Sequence, residues 1–462
     1  MTFESIDVEE RLARHIATLR YEDLSQEAIT AAEGLLLDTV VDMAASLRSA
    51  ECRALRERWS QLHGAGACSV IGRADGVSAS SAAFLNGVFA HWFEWDDVHN
   101  PSILHASAVV VPVMLAAAEA GGLGDDERSG HEFIAAFVAA FDVAARASEA
   151  LVMEMHNGWM PTGNAVIGAA GGAARLLGLD ADGIRSAMGI AASTMGAGRQ
   201  AIKDQVSGKN VLCGLIADAA VRAALLAQQG IMGSPGFLFG PFGAATLFTN
   251  GKASKERAVA DLGQRFSVTE SSIKVYPCCQ STHGCIDSAF KILNQEPAIG
   301  AEIEKVALRL PRRNYELVGA PFRIGDNPRV SAQFNVAFTV ALALGRGAVR
   351  IDDFNDAAVV SAADTIDLAN RTDVSINDAP VHEVRLHLRD GSTREAQTTI
   401  HRGKVGVPPD ARALHNKFED ALSAISPVTA PEQLASLVSG VALRGLGPLT
   451  QWMREARLGD RA

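Results

Sequence analysis

The sequence predicts a mainly α protein, with a large all-helical domain formed by both chain ends and a smaller α+β domain between them. Three observations carry this. Apolar residues recur at three- and four-residue spacing from about residue 8 to 265, alternation at period two begins only after 266, and helical spacing returns from Ala411 to about Arg457. The expected bounds are therefore 1–265 with 401–462 for the discontinuous helical domain and 266–400 for the α+β domain. A chain of 462 residues is long enough for two or three domains. Aromatic residues make up only 6% of it, so Ala and Gly must supply the closely packed helix surfaces.

Taken in order, MTFESIDVEERLARHIATLR carries acids from residue 4 onward and has no apolar centre, so it does not read as a secretory signal. AITAAEGLLLDTVVDMAASL (28–47) is amphipathic at helical period. ASAVVVPVMLAAA (106–118) is the longest apolar run, but it is shorter than the roughly 20 residues that span a bilayer and contains Pro112. No transmembrane helix is expected. NAVIGAAGGAARLLGLD (164–180) is a helix whose Gly168, Gly171 and Gly172 allow close backbone approach, and Asp180 is the N-cap of the next helix. IADAAVRAALLAQQG (216–230) is closed by Gly230. Beyond 266, KVALRL (305–310) and VHEVRLHLRDGSTREAQTTI (381–400) alternate as strands, with Asp390-Gly391 as the hairpin turn. QFNVAFTVALALGRG (333–347) is a helix ending at Gly345 or Gly347, and HRGKVGVPPD (401–410) is a linker.

The net charge of −11 argues against a nucleic-acid surface and against a basic membrane patch. A small anionic substrate would need local cations. Six cysteines, at 52, 68, 213, 278, 279 and 285, form no spaced disulfide framework, and a cytoplasmic location is expected.

Three segments concentrate chemistry. FEWDDVHNPSILHAS (93–107) brings together Glu94, Asp96, Asp97, His99 and His105, and Asn100-Pro101 breaks it, so that polar side chains can converge. Asp96 and Asp97 followed by Asn100 also resemble an aspartate-rich magnesium motif, but two imidazoles suit magnesium poorly and no second acidic motif follows. A solvated acidic loop is the plain alternative, opposed by Phe93, Trp95, Ile103 and Leu104. IKVYPCCQSTHGCIDSAF (273–290) offers Lys274, Cys278, Cys279, His283 and Cys285. Adjacent cysteines without a paired C-x-x-C do not suit zinc. Cys279 and His283, four residues apart, could form a thiol–imidazole pair, and His283 with Lys274 is read as a proton-transfer and anion-binding pair. In GAGRQAIKDQVSGKNVLCGLIAD (196–218) the G-x-G-x-x-A spacing lacks a preceding strand, and Ser207-Gly208-Lys209 lacks the rest of a P-loop. Lys209 at the start of an apolar helix remains a carboxylate-binding candidate, whereas Lys203 reads as a surface lysine.

FEWDDVHNPSILHASAVVVPVMLAAAE, GWMPTGNAVIGAAGGAARLLGLD, GKNVLCGLIADAAVRAALLAQQG, KVYPCCQSTHGCIDSA and the late KFEDAL, with LSQEAITAAEGLLLDTVVDM at the front, resemble in that order the MmgE/PrpD family. Its members include 2-methylcitrate dehydratase, cis-aconitate decarboxylase and iminodisuccinate epimerase. The resemblance implies a homodimer with a site between the domains and neither metal nor organic cofactor. It assigns His105, Asp97, His283 and Asp96 to catalysis, and Lys209, Lys274, Glu94 and Cys279 to substrate binding; His156 is added to the binding set as a stand-in for the family imidazole that is methionine at position 160. Gly214 matches the glycine of the family's K-x-x-x-x-G helix. It implies a lyase acting on a small di- or tricarboxylate by proton abstraction next to a carboxylate, with dehydration foremost and epimerisation or decarboxylation on the same scaffold as alternatives; a non-catalytic carboxylate-binding protein is the alternative of another class. Three departures bear on the substrate. Met160 stands where the family's F-H-P-T has histidine, Val98 where D-D-T has a hydroxyl, and the segment before His105 is one residue longer than in the decarboxylases; Glu94, besides, stands where many members have aspartate. Cys279 stands where the decarboxylases have a histidine, which is nearer the dehydratase pattern.

Overall fold

The structure is a computed structural model and describes residues 7–151, 158–196, 198–249, 252–426 and 430–459. His156 lies outside the described residues. Helices dominate, and the buried apolar side chains fall into two clusters. One is built from residues between Val8 and Val268 together with Ile351 and side chains from Phe418 to Ala456; the other runs from Val275 to Leu388.

In the first cluster the long helices Gln26–Ala45, Ala79–His91, Ser107–Ala120, Glu127–Ala150, Ala165–Leu176 and Leu212–Gln228 pack on one another. Glycine sets how closely. A Cβ on Gly214 would overlap the Phe84 carbonyl oxygen, and one on Gly87 would fall 3.0 Å from the Gly214 Cα. The backbones of Ala79–His91 and Leu212–Gln228 therefore touch, which brings the end of the first helix beside the start of the second. Pro112 sits inside Ser107–Ala120, whose side chains from Ser107 to Ala118 are all buried. Asp180 caps its helix as expected, accepting from the Gly183 N–H at 2.9 Å.

Several elements differ from the sequence reading. A short antiparallel hairpin, Ala65–Val70 with Arg73–Val77, interrupts the helical region. Residues 333–347 are split: Pro328–Gln333 is one helix, and Asn335 caps the next, Val336–Arg346, which ends at left-handed Gly347. One segment, Ser207–Gln228, is long and apolar enough to cross a membrane by length and composition, contrary to expectation. More than half of it is buried against neighbouring helices, which accounts for its apolarity. All six cysteines are free and buried.

The second cluster covers a four-stranded sheet in the order Thr372–Asn377, Ile303–Pro311, His382–Leu388, Thr393–Thr398. The first pair is parallel and the others antiparallel. Gly391 turns the hairpin at φ 85°. Val384, Leu386 and Leu388 alternate inward, and helices Gln280–Gln295 and Val336–Arg346 pack together beside the sheet. Two residues, Val98 and His99, pair antiparallel with Ser271 and Ser272 and so tie the 93–107 loop to the entry into this second cluster.

Candidate active site

The loop begins where helix Ala79–His91 runs out and ends where Ser107–Ala120 starts. It is buried rather than solvated: Glu94, Asp96 and Asp97 are at most 2% exposed and His105 9%. Glu94 at φ 57° and Ile103 at φ 56° adopt the left-handed conformation that non-glycine residues rarely hold. Groups from far along the chain fix the backbone in this shape. The Trp92 carbonyl accepts from Asn210 Nδ2 at 3.0 Å and from the Arg329 guanidinium, and the Phe93 carbonyl accepts from Gln333 Nε2 at 2.6 Å. Lys274 Nζ donates to the Glu94 carbonyl at 2.8 Å and Lys417 Nζ to the Trp95 carbonyl at 2.9 Å. Each donor is buried, so each carbonyl is satisfied without water.

Inside this frame the Glu94 carboxylate bridges the two lysines. Its Oε1 lies 3.0 Å from Lys274 Nζ, and its Oε2 contacts Lys209 Nζ, which also lies over the Phe334 ring at 5.0 Å. Burial, and after it the Lys274 charge, push the Lys209 ammonium well below the ordinary lysine range, while the Glu94 contact opposes them. A second arrangement centres on Asp96. Its Oδ2 is 2.8 Å from His91 Nδ1 and 2.9 Å from His105 Nδ1, and its Oδ1 is 3.8 Å from Lys274 Nζ. Burial alone would raise the Asp96 carboxyl, but His91, His105 and Lys274 together hold it well below the carboxylate range. An ionised carboxylate can only accept, so His91 turns its Nδ1–H to Asp96, while the His105 Nδ1–H is shared between Asp96 Oδ2 and the Asp97 carbonyl oxygen at 3.1 Å, and both rings leave Nε2 basic. Burial keeps His91 neutral, its pKa pushed down to about 3. His105 Nε2 has no partner among the described residues. Asp97 accepts the Ser107 N–H at 3.0 Å, and its Oδ2 has no partner. Burial, then the Asp96 charge, push its carboxyl up to about 7.

Of the residues anticipated from sequence, Glu94, Asp96, Asp97, His105, Lys209 and Lys274 come together. His283 and Lys274 make no hydrogen bond to each other among the described residues, although the Lys274 charge is near enough to act on the imidazole. His283 Nε2 instead hydrogen-bonds the Cys278 carbonyl at 3.3 Å, its ring packs edge-on against Tyr276 and His401, and burial, then His401, push its pKa well down. Nor is there a Cys279–His283 bond: Cys279 is the residue preceding helix Gln280–Gln295, with its N–H on the Gln333 carbonyl at 3.0 Å. Met160 is buried ahead of the Pro161–Asn164 turn. Sequence reasoning missed His91, Arg329, Gln333 and Lys417. For His91 a signal existed, since it lies three residues before Glu94.

Among the described residues two groups are close enough to hold a metal ion: His91, Asp96 and His105, and His99, Glu149 and Glu270. In the first, Lys274 already faces the carboxylate that would be the anionic ligand. In the second, the Arg265 guanidinium bridges Glu149 and Glu270, supplying the positive charge a cation would.

A clamp of paired lysines next to a carboxylate-oriented imidazole suits an enzyme that moves a proton beside a bound carboxylate. The chain belongs to the MmgE/PrpD family: residues 10–257 match the MmgE/PrpD N-terminal domain and 276–440 the MmgE/PrpD C-terminal domain. It is an enzyme of the lyase type found there. It is 27% identical over 421 residues to the cis-aconitate decarboxylase-like protein oryM of Aspergillus oryzae, covering 86% of this chain and 87% of the relative. Identity to a cis-aconitate decarboxylase of Aspergillus terreus is 25% over 98% of each chain, and to that of Homo sapiens 24% over 94% and 92%.

Proposed function

We propose that the protein is a cofactor-independent lyase that acts on a small di- or tricarboxylate by removing a proton next to a carboxylate, foremost in a dehydration. The observation that carries this is the pair His105 and Asp97, a base with a free Nε2 and a carboxyl pushed up to about 7, set beside one ionised Asp96. Neighbouring groups pushed in opposite directions supply an acid and a base at neutral pH. A substrate carboxylate displaces Glu94 from Lys209 and Lys274, whose charges then stabilise the enediolate-like transition state. His105 Nε2 takes the proton from carbon, that C–H pair becomes the alkene, and the leaving hydroxide takes the Asp97 proton and departs as water. The proton on His105 afterwards restores Asp97.

A second reading, decarboxylation of a cis-aconitate-like tricarboxylate, is favoured by what the relatives are named for. There the acid protonates the alkene carbon while the electron pair of the breaking bond to a carboxylate forms the new alkene and carbon dioxide leaves. Incubation with 2-methylcitrate, cis-aconitate and iminodisuccinate in deuterium oxide, followed by NMR and gas analysis, separates these. An alkene without gas supports dehydration, gas supports decarboxylation, and deuterated substrate with neither supports epimerisation. Binding without any conversion would leave a carboxylate-binding protein. We further propose self-association into a homodimer. Leu215, Leu226, Ile231, Met232, Phe242 and Leu247, all large, apolar and exposed, fall within residues 215–247. A monomer in sedimentation equilibrium would overturn that.

A further inference from the structure

Lys417 lies in KFEDAL, on helix Ala411–Leu422 near the end of the chain, and its side chain is completely buried. It reaches Asp38 Oδ1 at 2.5 Å and Asp42 Oδ1 at 3.5 Å, and stands over the Trp95 ring at 5.2 Å. Asp38 and Asp42 are four residues apart on helix Gln26–Ala45 and so share a face. One ammonium between two buried carboxyls is an expensive arrangement, because desolvating the charges costs more than an apolar filling of the same space. Neither oxygen of Asp42 has a hydrogen-bond partner among the described residues, and burial pushes its carboxyl well above the usual range. Asp38 is the nearer of the two carboxyls and accepts the hydrogen bond from Lys417 Nζ, which fixes the direction of that side chain.

What the ammonium is aimed at is the Trp95 carbonyl, 2.9 Å away. Trp95 is the residue between Glu94, which fills the lysine clamp, and Asp96, which orients both imidazoles. Lys274 grips the loop at the Glu94 carbonyl and Lys417 grips it one residue later, from the opposite end of the chain. We propose that Lys417 is a positioning residue, which acts through the Trp95 carbonyl to hold Asp96 in register with His105. It does not touch substrate. The proposal rests on the reading that the Asp96–His105 pair transfers the proton.

Lys417→Met alone would strand Asp38 as a buried charge and could fail to fold, so the test compares Asp38→Asn with Asp38→Asn/Lys417→Met. Asp38→Asn leaves Asp42, whose Oδ1 is 3.5 Å from Lys417 Nζ, as the remaining acidic partner and so keeps the ammonium on the Trp95 carbonyl; the double variant removes the ammonium. Asp38→Asn should stay within about threefold of wild-type kcat, whereas the double variant should lose about thirtyfold or more in kcat with KM within about threefold. A folded double variant, checked by its thermal transition, with kcat equal to the single variant would overturn the proposal. A second readout needs no turnover: the rate of His105 modification by diethyl pyrocarbonate at one fixed pH, mapped by mass spectrometry. His105 is held by Asp96 and the Asp97 carbonyl and packs edge-on against His91. Loosening Asp96 frees the ring, so the rate should rise in the double variant only; an unchanged rate also counts against Lys417. If wild-type protein converts no carboxylate, the lyase reading fails, and the His105 modification rate still decides the role of Lys417.

Discussion

Glu94 holds a conformation that costs a non-glycine residue on the order of 1 kcal/mol, and it holds it because Lys274 grips both its carbonyl and its carboxylate. Its side chain is thereby aimed at the clamp that a substrate carboxylate needs. Glu94→Gln keeps the length but removes the competing charge, so a tricarboxylate such as citrate should bind about tenfold more tightly by calorimetry. Unchanged or weaker binding would show that Glu94 does not compete. His105→Ala removes the free Nε2 and should lower kcat by about 10²–10⁴ with an unchanged thermal transition; near-wild-type turnover would remove His105 from the mechanism. At this scale the sequence was readable wherever charge stood out from an apolar background, as in Glu94, Asp96, Asp97 and His105. His91 escaped because it ends an otherwise apolar helix, and Lys417 because its two aspartates lie hundreds of residues upstream.

Elements decide which way these groups face. Helix Ser107–Ala120 presents the Ser107 N–H to Asp97, and a helix start favours negative charge there. Burial and Asp96 outweigh it, and the carboxyl titrates at about 7. An acid must be protonated to act, so activity that needs it is present below about pH 7 and is lost as pH rises through that value. The pH profile of kcat/KM should therefore fall on the alkaline side near 7. In Asp97→Asn that limb should vanish while the remaining rate is lower at every pH. A limb that persists belongs to another group. The Asp390-Gly391 hairpin was legible because turn chemistry and strand alternation agree. Ala65–Val77 was not, since its strands are rich in Ala and Gly rather than β-branched residues. Thr372–Asn377 was missed for a different reason: it pairs in parallel with a strand some sixty residues earlier, across intervening helices, and such pairing leaves no local signal.

For the whole molecule, the two apolar clusters meet at the 92–97 loop, whose carbonyls take hydrogen bonds from Asn210, Lys274, Arg329, Gln333 and Lys417. The dominance of helix could be read from periodicity, but this convergence could not, because it depends on pairings across the full chain. Burying histidines in such an interior links folding to pH. His382, 7% exposed, accepts at Nε2 from Asn314 at 3.2 Å. Burial, and after it His401, push its pKa down to about 4 from the ordinary histidine value of about 6.5. The folded value is the depressed one, so the unfolded chain binds the proton first as pH falls. The stabilising preference for neutral His382 is thus complete above about 6.5 and is lost progressively down to about 4. Over that window one group's contribution changes by about 3 kcal/mol, at about 1.4 kcal/mol per pH unit. His382→Gln retains an acceptor for Asn314 but takes up no proton. The stability of wild type minus that of the variant, from urea unfolding at a series of pH values, should fall by that amount between pH 6.5 and 4 and be flat above 7. A difference that does not change with pH would mean that His382 is protonated as readily in the folded protein as in the unfolded chain.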